Sequence, residues 1–151
     1  MDAKDLKILE ILSENARVSG AEIARQVYLS LPAVTERLRK LNESGVIDKH
    51  TIVLSKTKLG LNLCCFIKVW ISQVGSADVL SDILAMEEVL ECHHIAGDYD
   101  LLLKVLVEGT DQLEFFLTKK LKVIPGVSRT STTIVLDTYK EKINRNIENK
   151  R

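Results

Sequence analysis

The chain has 151 residues, of which 46% are hydrophobic and 28% are charged. This composition is typical of a folded globular protein and excludes a disordered chain, and the length allows one ordinary domain or two small ones. The 21 basic and 21 acidic residues give a formal net charge of zero. The total charge therefore does not by itself favour a nucleic-acid partner.

The sequence carries no pattern for membrane insertion or export. Lys68 and Lys104 interrupt the longest apolar stretches, which stay well short of the ~20 residues that a membrane helix needs. The first residues mix acids with bases and show no cleavage-site pattern, which argues against a signal or transit peptide. Three cysteines, an odd number, fit a reducing compartment better than a disulfide scaffold. We expect a cytoplasmic protein that does not contact a membrane.

Two short helices are predicted at the start of the chain. The first spans residues 2–13, because leucines recur there every three residues with isoleucines between them. The second begins after Ser19, which has with Glu22 the spacing of a capping box. The apolar stripes are Leu6, Leu9 and Leu12 with Ile8 and Ile11 in the first helix, and Ile23, Ala24 and Val27 in the second.

A third helix follows a turn at Tyr28 and Leu29. Ser30 is its predicted N-cap, Pro32 lies in the first turn, where a missing N–H is tolerated, and Gly45 ends the helix. Its predicted buried stripe is Val34, Leu38 and Leu41. Three short helices, with the second and third joined by a tight turn, form a helix-turn-helix arrangement.

After this helix the sequence pattern changes. Between residues 46 and 54, β-branched residues alternate around Asp48 and Lys49, which predicts a small hairpin, or wing. A connector then runs through Leu59 and Gly60. We therefore predict a winged helix-turn-helix domain with its connector at residues 1–58 and a second domain at residues 59–151.

The second domain alternates strands and helices in the order βαββαβ, which is that of a ferredoxin-like α+β sandwich. Ser76 and Thr110 are predicted helix N-caps, and turns are predicted at Gly97–Asp98 and Pro125–Gly126. The predicted strands are 63–72, 90–96, 99–107 and 127–136, and the predicted helices are 76–86 and 111–122.

Both faces of the predicted sheet are largely apolar. Along the first strand one side carries Cys64, Phe66, Lys68 and Trp70, and the other carries Cys65, Ile67, Val69 and Ile71. Helices cover only one face of such a sheet, so the other face would expose an apolar patch larger than soluble monomers usually tolerate. We therefore expect a homodimer through the open face, with a tetramer or octamer left open.

The outer face of the third helix is the candidate DNA-binding surface. Arginine and lysine side chains there can reach phosphates or guanine edges, and the exposed helix start can offer N–H groups to phosphate. The alternative is a helical bundle with a solvated charged face, which the two capped helices and tight turn disfavour. The predicted DNA-binding residues are Ser19, Ser30, Leu31, Pro32, Ala33, Thr35, Glu36, Arg37, Arg39 and Lys40.

The zero net charge hides an uneven distribution. Residues 15–58 hold eight basic and four acidic residues, whereas residues 76–114 hold one basic and ten acidic residues. The net charges of these two segments are therefore +4 and −9. A basic segment that contains the third helix is consistent with local contact to phosphates.

The chain resembles the Lrp/AsnC family, also called feast/famine regulators, over nearly its whole length. In the first half the matching motifs include Asp-Leu-Lys-Ile-Leu at 5–9 and Leu-Ser-Leu-Pro-Ala-Val-Thr-Glu-Arg-Leu-Arg-Lys-Leu at 29–41. In the second half they are Gly-Asp-Tyr-Asp-Leu-Leu-Leu-Lys-Val at 97–105 and Pro-Gly-Val at 125–127. The resemblance implies a dimeric transcription regulator that often assembles into octamers, with a regulation-of-amino-acid-metabolism type domain as its second half.

The resemblance also implies an amino-acid effector held between dimers. By position, the resemblance implies that the effector contacts Gly97, Asp98, Tyr99 and Asp100, together with Thr132, Thr133 and Ile134 on the last strand. An α-amino acid presents an ammonium group, which a carboxylate can bind, and Gly97 lets the backbone approach closely. An ordinary turn rich in Asp and Gly is the alternative interpretation.

Other kinds of function find less support in the sequence. His93 and His94 follow Cys92, but neighbouring strand residues point to opposite faces, so we expect no metal site. No phosphate-binding glycine loop or nucleophile elbow occurs, and we expect neither catalysis nor a cofactor. One alternative is a small amino-acid-binding enzyme or an allosteric subunit of one, but this leaves the first 45 residues unexplained. The other alternative is an effector-independent DNA-architectural protein.

Overall fold

The computed structural model describes residues 1–72 and 76–144. These form two compact units, one of residues 1–53, with which residues 140–144 group, and one of residues 54–139. Each unit has its own hydrophobic core. The predicted division after residue 58 lies a few residues further along the chain. None of the described helices is long and apolar enough to cross a bilayer.

The first unit contains the three predicted helices. They are α1 (Ala3–Glu14), α2 (Gly20–Val27) and α3 (Leu31–Glu43). α1 begins with a capping box between Asp2 and Asp5, which the sequence analysis did not predict. The buried core of the unit is Ile8, Ile11, Ile23, Ala24, Val27, Val34 and Leu41. The isoleucines of α1 are thus more deeply buried than the leucines predicted to lead its stripe, which are only partly buried.

Serine side chains cap α2 and α3 as predicted. The Ser19 hydroxyl accepts a hydrogen bond from the Glu22 N–H at 3.2 Å, and Ser30 caps the first turn of α3 in the same way at 3.4 Å. The predicted capping box of α2 is only half formed, because the Glu22 carboxylate accepts hydrogen bonds from Arg25 and Gln26. The first turn of each helix is nevertheless capped by the side chain of its N-cap serine.

The predicted hairpin at residues 46–54 does not form, since this segment contains no β-strand. Gly45, with φ of 71°, ends α3, and the Ile47 N–H then donates to the Leu41 carbonyl at 3.1 Å. Beyond this point Ile52 and Val53 are 75% and 76% exposed. Ile47 still packs against the core of the first unit, but Ile52 and Val53 do not pack on it. A two-stranded hairpin without such packing is marginal in water.

The second unit has the predicted βαββαβ order. Its antiparallel strands align in the order β2-β3-β1-β4, which is that of a ferredoxin-like sandwich. The elements are β1 (Leu63–Ile71), α4 (Ser76–Leu84), β2 (Val89–His94), β3 (Leu101–Val107), α5 (Thr110–Phe115) and β4 (Val127–Ile134). The predicted strands and helices are thus present, with bounds that differ by a few residues.

The second helix of this unit differs in detail from its prediction. Gly109 rather than Thr110 is the N-cap of α5, and no side chain caps it. α5 continues as a π-helix over Phe116–Leu121. This wider winding brings Phe116 and Leu121, five residues apart, to the same side, and both are fully buried.

The sheet has one covered and one open face. Cys65, Ile67 and Val69 of β1 are fully buried beneath the helices of this unit. On the opposite face Phe66 is 37% exposed. The open face also carries charge, because Lys104 on β3 forms a 3.0 Å ion pair with Glu91 on β2. It is therefore less apolar than the alternation of β1 alone indicated.

Candidate DNA-binding surface and effector site

The α2 to α3 turn is tight and closely packed. Tyr28, the C-cap of α2, has a left-handed backbone with φ of 55°, and the Leu29 N–H donates to the Ala24 carbonyl at 3.0 Å. A Cβ atom at Gly20 would lie 3.1 Å from the Leu31 side chain. A small residue at the start of α2 thus allows the start of α3 to approach it closely.

The exposed face of α3 carries cations that are paired with acids of the same helix. Arg39 contacts Glu36 at 2.7 Å and Glu43 at 2.5 Å, and Lys40 lies 3.5 Å from Glu36. The Arg39 hydrogen bond lowers the pKa of Glu36 to about 2. All four side chains are at least half exposed. Exposed ion pairs contribute little to stability because solvent screens them, so these cations can exchange their partners for phosphates.

Arg37 is placed differently from the other predicted DNA-binding residues. Its Nη1 atom lies 2.9 Å from Asp2 Oδ2 and 2.6 Å from Asp5 Oδ1, and its side chain is 30% exposed. These bonds, first that to Asp5, raise the pKa of Arg37 above its already high ordinary value. Its guanidinium group is therefore engaged by α1.

The remaining predicted contacts lie at the two helix starts and along α3. Ser19 and Ser30 use their hydroxyl oxygens as caps, and the Thr35 hydroxyl donates to the Leu31 carbonyl at 3.0 Å. Leu31 is 50% exposed and Pro32 is exposed, whereas Ala33 is half-buried. The start of α3 is thus accessible, although its hydroxyls serve the helix itself.

The loop from Gly97 to Asp100 is anchored on β1. The Asp100 N–H donates to the Val69 carbonyl at 3.0 Å, and the Asp100 carboxylate accepts from the Ile71 N–H at 2.6 Å. By contrast, Asp98 is exposed, and its carboxylate makes no hydrogen bond to a described residue. Asp98 is therefore the more available of the two predicted carboxylates.

Trp70, Lys68 and Arg129, which were not among the predicted site residues, lie beside this loop and its predicted contact Tyr99. The Trp70 indole N–H donates to the Asp98 carbonyl, and its ring meets that of Tyr99 edge-on at 5.9 Å. Lys68 and Arg129 lie over these aromatic rings at 4.9 Å and 4.5 Å. The single tryptophan of the chain was a signal that could have pointed here.

The other predicted effector contacts lie on a different strand. Thr132, Thr133 and Ile134 belong to β4 and pair with residues 65–67 of β1, whereas Asp100 bonds to Val69 and Ile71. The strand β1 lies between β3 and β4. Within one chain the two predicted sets are therefore not brought together.

The Cys-His-His segment does not form a ligand set. Cys92 pairs with Leu103 on the helix-covered side, whereas His93 faces the open side and contacts Glu91 at 3.2 Å. Among the described residues, no group of three or more metal-ligating side chains is close enough to hold an ion.

Comparisons with known proteins match both halves of the chain. A family model described as the Lrp/AsnC ligand binding domain matches residues 64–144, and one described as winged helix-turn-helix DNA-binding matches residues 1–48. The chain is 35% identical to the HTH-type transcriptional regulator FL11 of Pyrococcus abyssi, over 93% of both chains.

Solved structures show the same likeness. A transcriptional regulator from Neisseria meningitidis, solved as a complex with L-Met, is 28% identical with a TM-score of 0.91, over 95% of this chain and 94% of that one. The Escherichia coli protein AsnC is 30% identical with a TM-score of 0.87, over 94% and 96%.

Proposed function

Since the chain belongs to the Lrp/AsnC family and is a DNA-binding transcriptional regulator, we propose that it reads DNA with α3 and responds to an amino acid bound beside the loop 97–100. The observation that carries this proposal is a capped, closely packed helix-turn-helix whose exposed α3 face holds exchangeable cations. The second domain adds the exposed carboxylate of Asp98, which is available to bind an amino acid. The three cysteines, all free, suit the reducing cytoplasm as its compartment.

The DNA step uses the accessible surface of α3. Arg39 and Lys40 leave their intrahelical acids for phosphates or base edges, and the capped start of α3 approaches the backbone. Glu36 then either accepts from a cytosine amino group or repels phosphate, and so contributes to selectivity. The other contacts proposed are Ser19, Ser30, Leu31, Pro32, Ala33 and Thr35.

The assembly step uses the open face of the sheet. Phe66 lies near its centre and is more than one-third exposed, and Trp70 and Cys64 lie on the same side of β1. Two such faces packed together bury this surface. The dimer then presents two α3 helices to half-sites about one helical turn apart.

The sensing step uses the loop 97–100. The Asp98 carboxylate binds the ammonium group of the effector, and backbone N–H groups bind its carboxylate. Because Thr132–Ile134 lie apart from this loop in one chain, a second copy supplies them if both sets contact the ligand. The L-Met complex of the Neisseria meningitidis regulator supports an amino acid as the ligand class.

Ligand binding affects transcription through the assembly. An effector shifts the equilibrium between assemblies only as far as its affinity for them differs. An effector bound between dimers favours whichever assembly forms that site, and the spacing of the α3 helices changes with it.

A thermal-shift panel of the twenty amino acids tests the sensing step. A ligand at 100 times its Kd stabilises the folded protein by ~2.7 kcal/mol, which raises the unfolding temperature. We expect one or a few amino acids to do so, and the Asp98→Asn variant to lose the shift. No shift with any amino acid contradicts sensing and favours an effector-independent regulator. A shift that survives in Asp98→Asn moves the site elsewhere.

A further inference from the structure

The first turn of α1 is bonded to α3 through two carboxylates that each perform two tasks. Asp2 Oδ1 caps α1 by accepting from the Lys4 and Asp5 N–H groups at 2.8 Å and 2.9 Å, and Asp5 Oδ2 accepts from the Asp2 N–H at 2.8 Å. The second oxygen of each carboxylate binds Arg37 Nη1. All four oxygens are therefore assigned, two to the helix cap and two to Arg37.

The same turn also contacts the end of α2. Lys4 Nζ donates to the Val27 carbonyl at 2.5 Å and lies 5.6 Å from the centre of the Tyr28 ring. Val27 is the last residue of α2, and Tyr28 is its left-handed C-cap. The first turn of α1 thus bonds both helices of the helix-turn-helix, one on each side of the turn. We call Asp2, Lys4, Asp5 and Arg37 the polar clamp.

We propose that Arg37 is a positioning residue for DNA binding, which fixes α3 to the first turn of α1 through the polar clamp and does not contact phosphate. At 3.6 residues per turn, Arg37 and Arg39 lie about 200° apart around α3, so the two arginines serve opposite sides of the helix. The two ion pairs span 32 and 35 residues of sequence and therefore restrain tertiary rather than local structure.

This inference rests on the proposed use of α3 to read DNA. It predicts a change in DNA affinity opposite to the change that charge alone would cause. Removing a carboxylate from a DNA-binding domain makes the domain more positive, which by itself strengthens binding to phosphate. If Asp5 instead holds Arg37 and α3 in place, its neutralisation weakens binding. Asn still serves as a capping acceptor, so Asp2→Asn and Asp5→Asn spare the α1 cap and remove mainly the charge pairing with Arg37.

The test measures the affinity of the full-length protein for a labelled DNA duplex, selected by the wild-type protein from a random pool, at several salt concentrations. We expect Asp5→Asn and Arg37→Gln each to weaken binding about fivefold, which corresponds to the lower end of ordinary coupling between sites. The slope of log affinity against log salt stays at the wild-type value in both. Arg39→Gln, the matched control, lowers that slope by about one.

The outcomes separate the two proposals. Tighter or unchanged binding by Asp5→Asn, or a slope lowered by Arg37→Gln as much as by Arg39→Gln, overturns the positioning role. An unchanged slope in Arg39→Gln contradicts the use of α3 itself. Thermal unfolding of each variant establishes that it is folded at the assay temperature. If Arg37→Gln does not fold, Asp2→Asn, whose side chain is 55% exposed, gives the same two readouts.

Discussion

The carboxylate of Asp100 accepts a hydrogen bond from the Ile71 N–H at 2.6 Å, and so takes the place of a strand carbonyl where the β1–β3 ladder ends. The Asp100 N–H meanwhile donates to Val69, and its carbonyl accepts from Ile95. Asp100 thus closes the loop between β2 and β3. Asp98 and Asp100, both predicted from the sequence as effector contacts, therefore have different roles in the fold.

We predict that Asp100→Ala destabilises the protein by ~1–3 kcal/mol, because the partly buried Ile71 N–H loses its partner. Asp100→Asn keeps an acceptor oxygen and costs much less. Asp98→Ala, at an exposed position, stays within about 0.5 kcal/mol of wild type. Urea unfolding of the three variants checks this order, and equal losses for Asp98→Ala and Asp100→Ala would contradict it.

The open sheet face predicts the effect of a buried charge on assembly. Phe66→Glu places a carboxylate near the centre of the proposed dimer contact, so we expect a monomer at micromolar concentration by sedimentation velocity. Phe115→Glu makes the same chemical change on α5, where the ring is 57% exposed, and leaves the dimer intact. A Phe66→Glu dimer, or a monomeric wild type, rules out this interface.

Thiol reactivity should distinguish the buried cysteines. Cys65 is fully buried, and burial raises the pKa of its thiol to about 11. Burial also raises the pKa of Cys92. Because the thiolate is the reactive form, both react slowly with a disulfide reagent in the native protein. In denaturant we expect all three cysteines to react promptly, and prompt labelling of three thiols in the native protein contradicts this burial.

The pairing of Glu36 with Arg39 predicts how acid affects α3. Its pKa is lowered to about 2, so the folded state resists protonation more than the unfolded state does. The stabilisation is present above the ordinary pKa of about 4.5 and is lost as the pH falls through the folded value. We expect the urea midpoints of wild type and Glu36→Gln to differ most near neutral pH and to converge near pH 2. A difference between the two urea midpoints that grows as the pH falls would contradict this prediction.

Elements with strong local signals were predictable from the sequence. Ser19 and Ser30 are flanked by apolar residues at helical spacing, and both cap helices as predicted. The βαββαβ order was readable because turns and apolar runs alternate, and the family resemblance is confirmed by matches over both halves. Local patterning decides these features, so no distant residue needed to be known.

Features that depend on distant residues were not predictable. The predicted hairpin at 46–54 does not form, and Ile52 and Val53 stay exposed, which the alternation of β-branched residues does not reveal. Arg37 lies at the margin of the predicted DNA surface by helical geometry, yet two carboxylates more than thirty residues away bind it. Sequence spacing places a side chain around its helix but does not identify its partner on another helix.

The salt dependence of DNA binding tests whether α3 reads DNA through its exposed cations. The double variant Arg39→Ala/Lys40→Ala should lose about two units from the slope of log affinity against log salt, since two phosphate contacts are removed. The exposed pair Lys119 and Lys122 on the second unit gives a control with the same charge loss, and Lys119→Ala/Lys122→Ala should keep the wild-type slope. A wild-type slope in Arg39→Ala/Lys40→Ala would show that α3 does not bind DNA through these two cations.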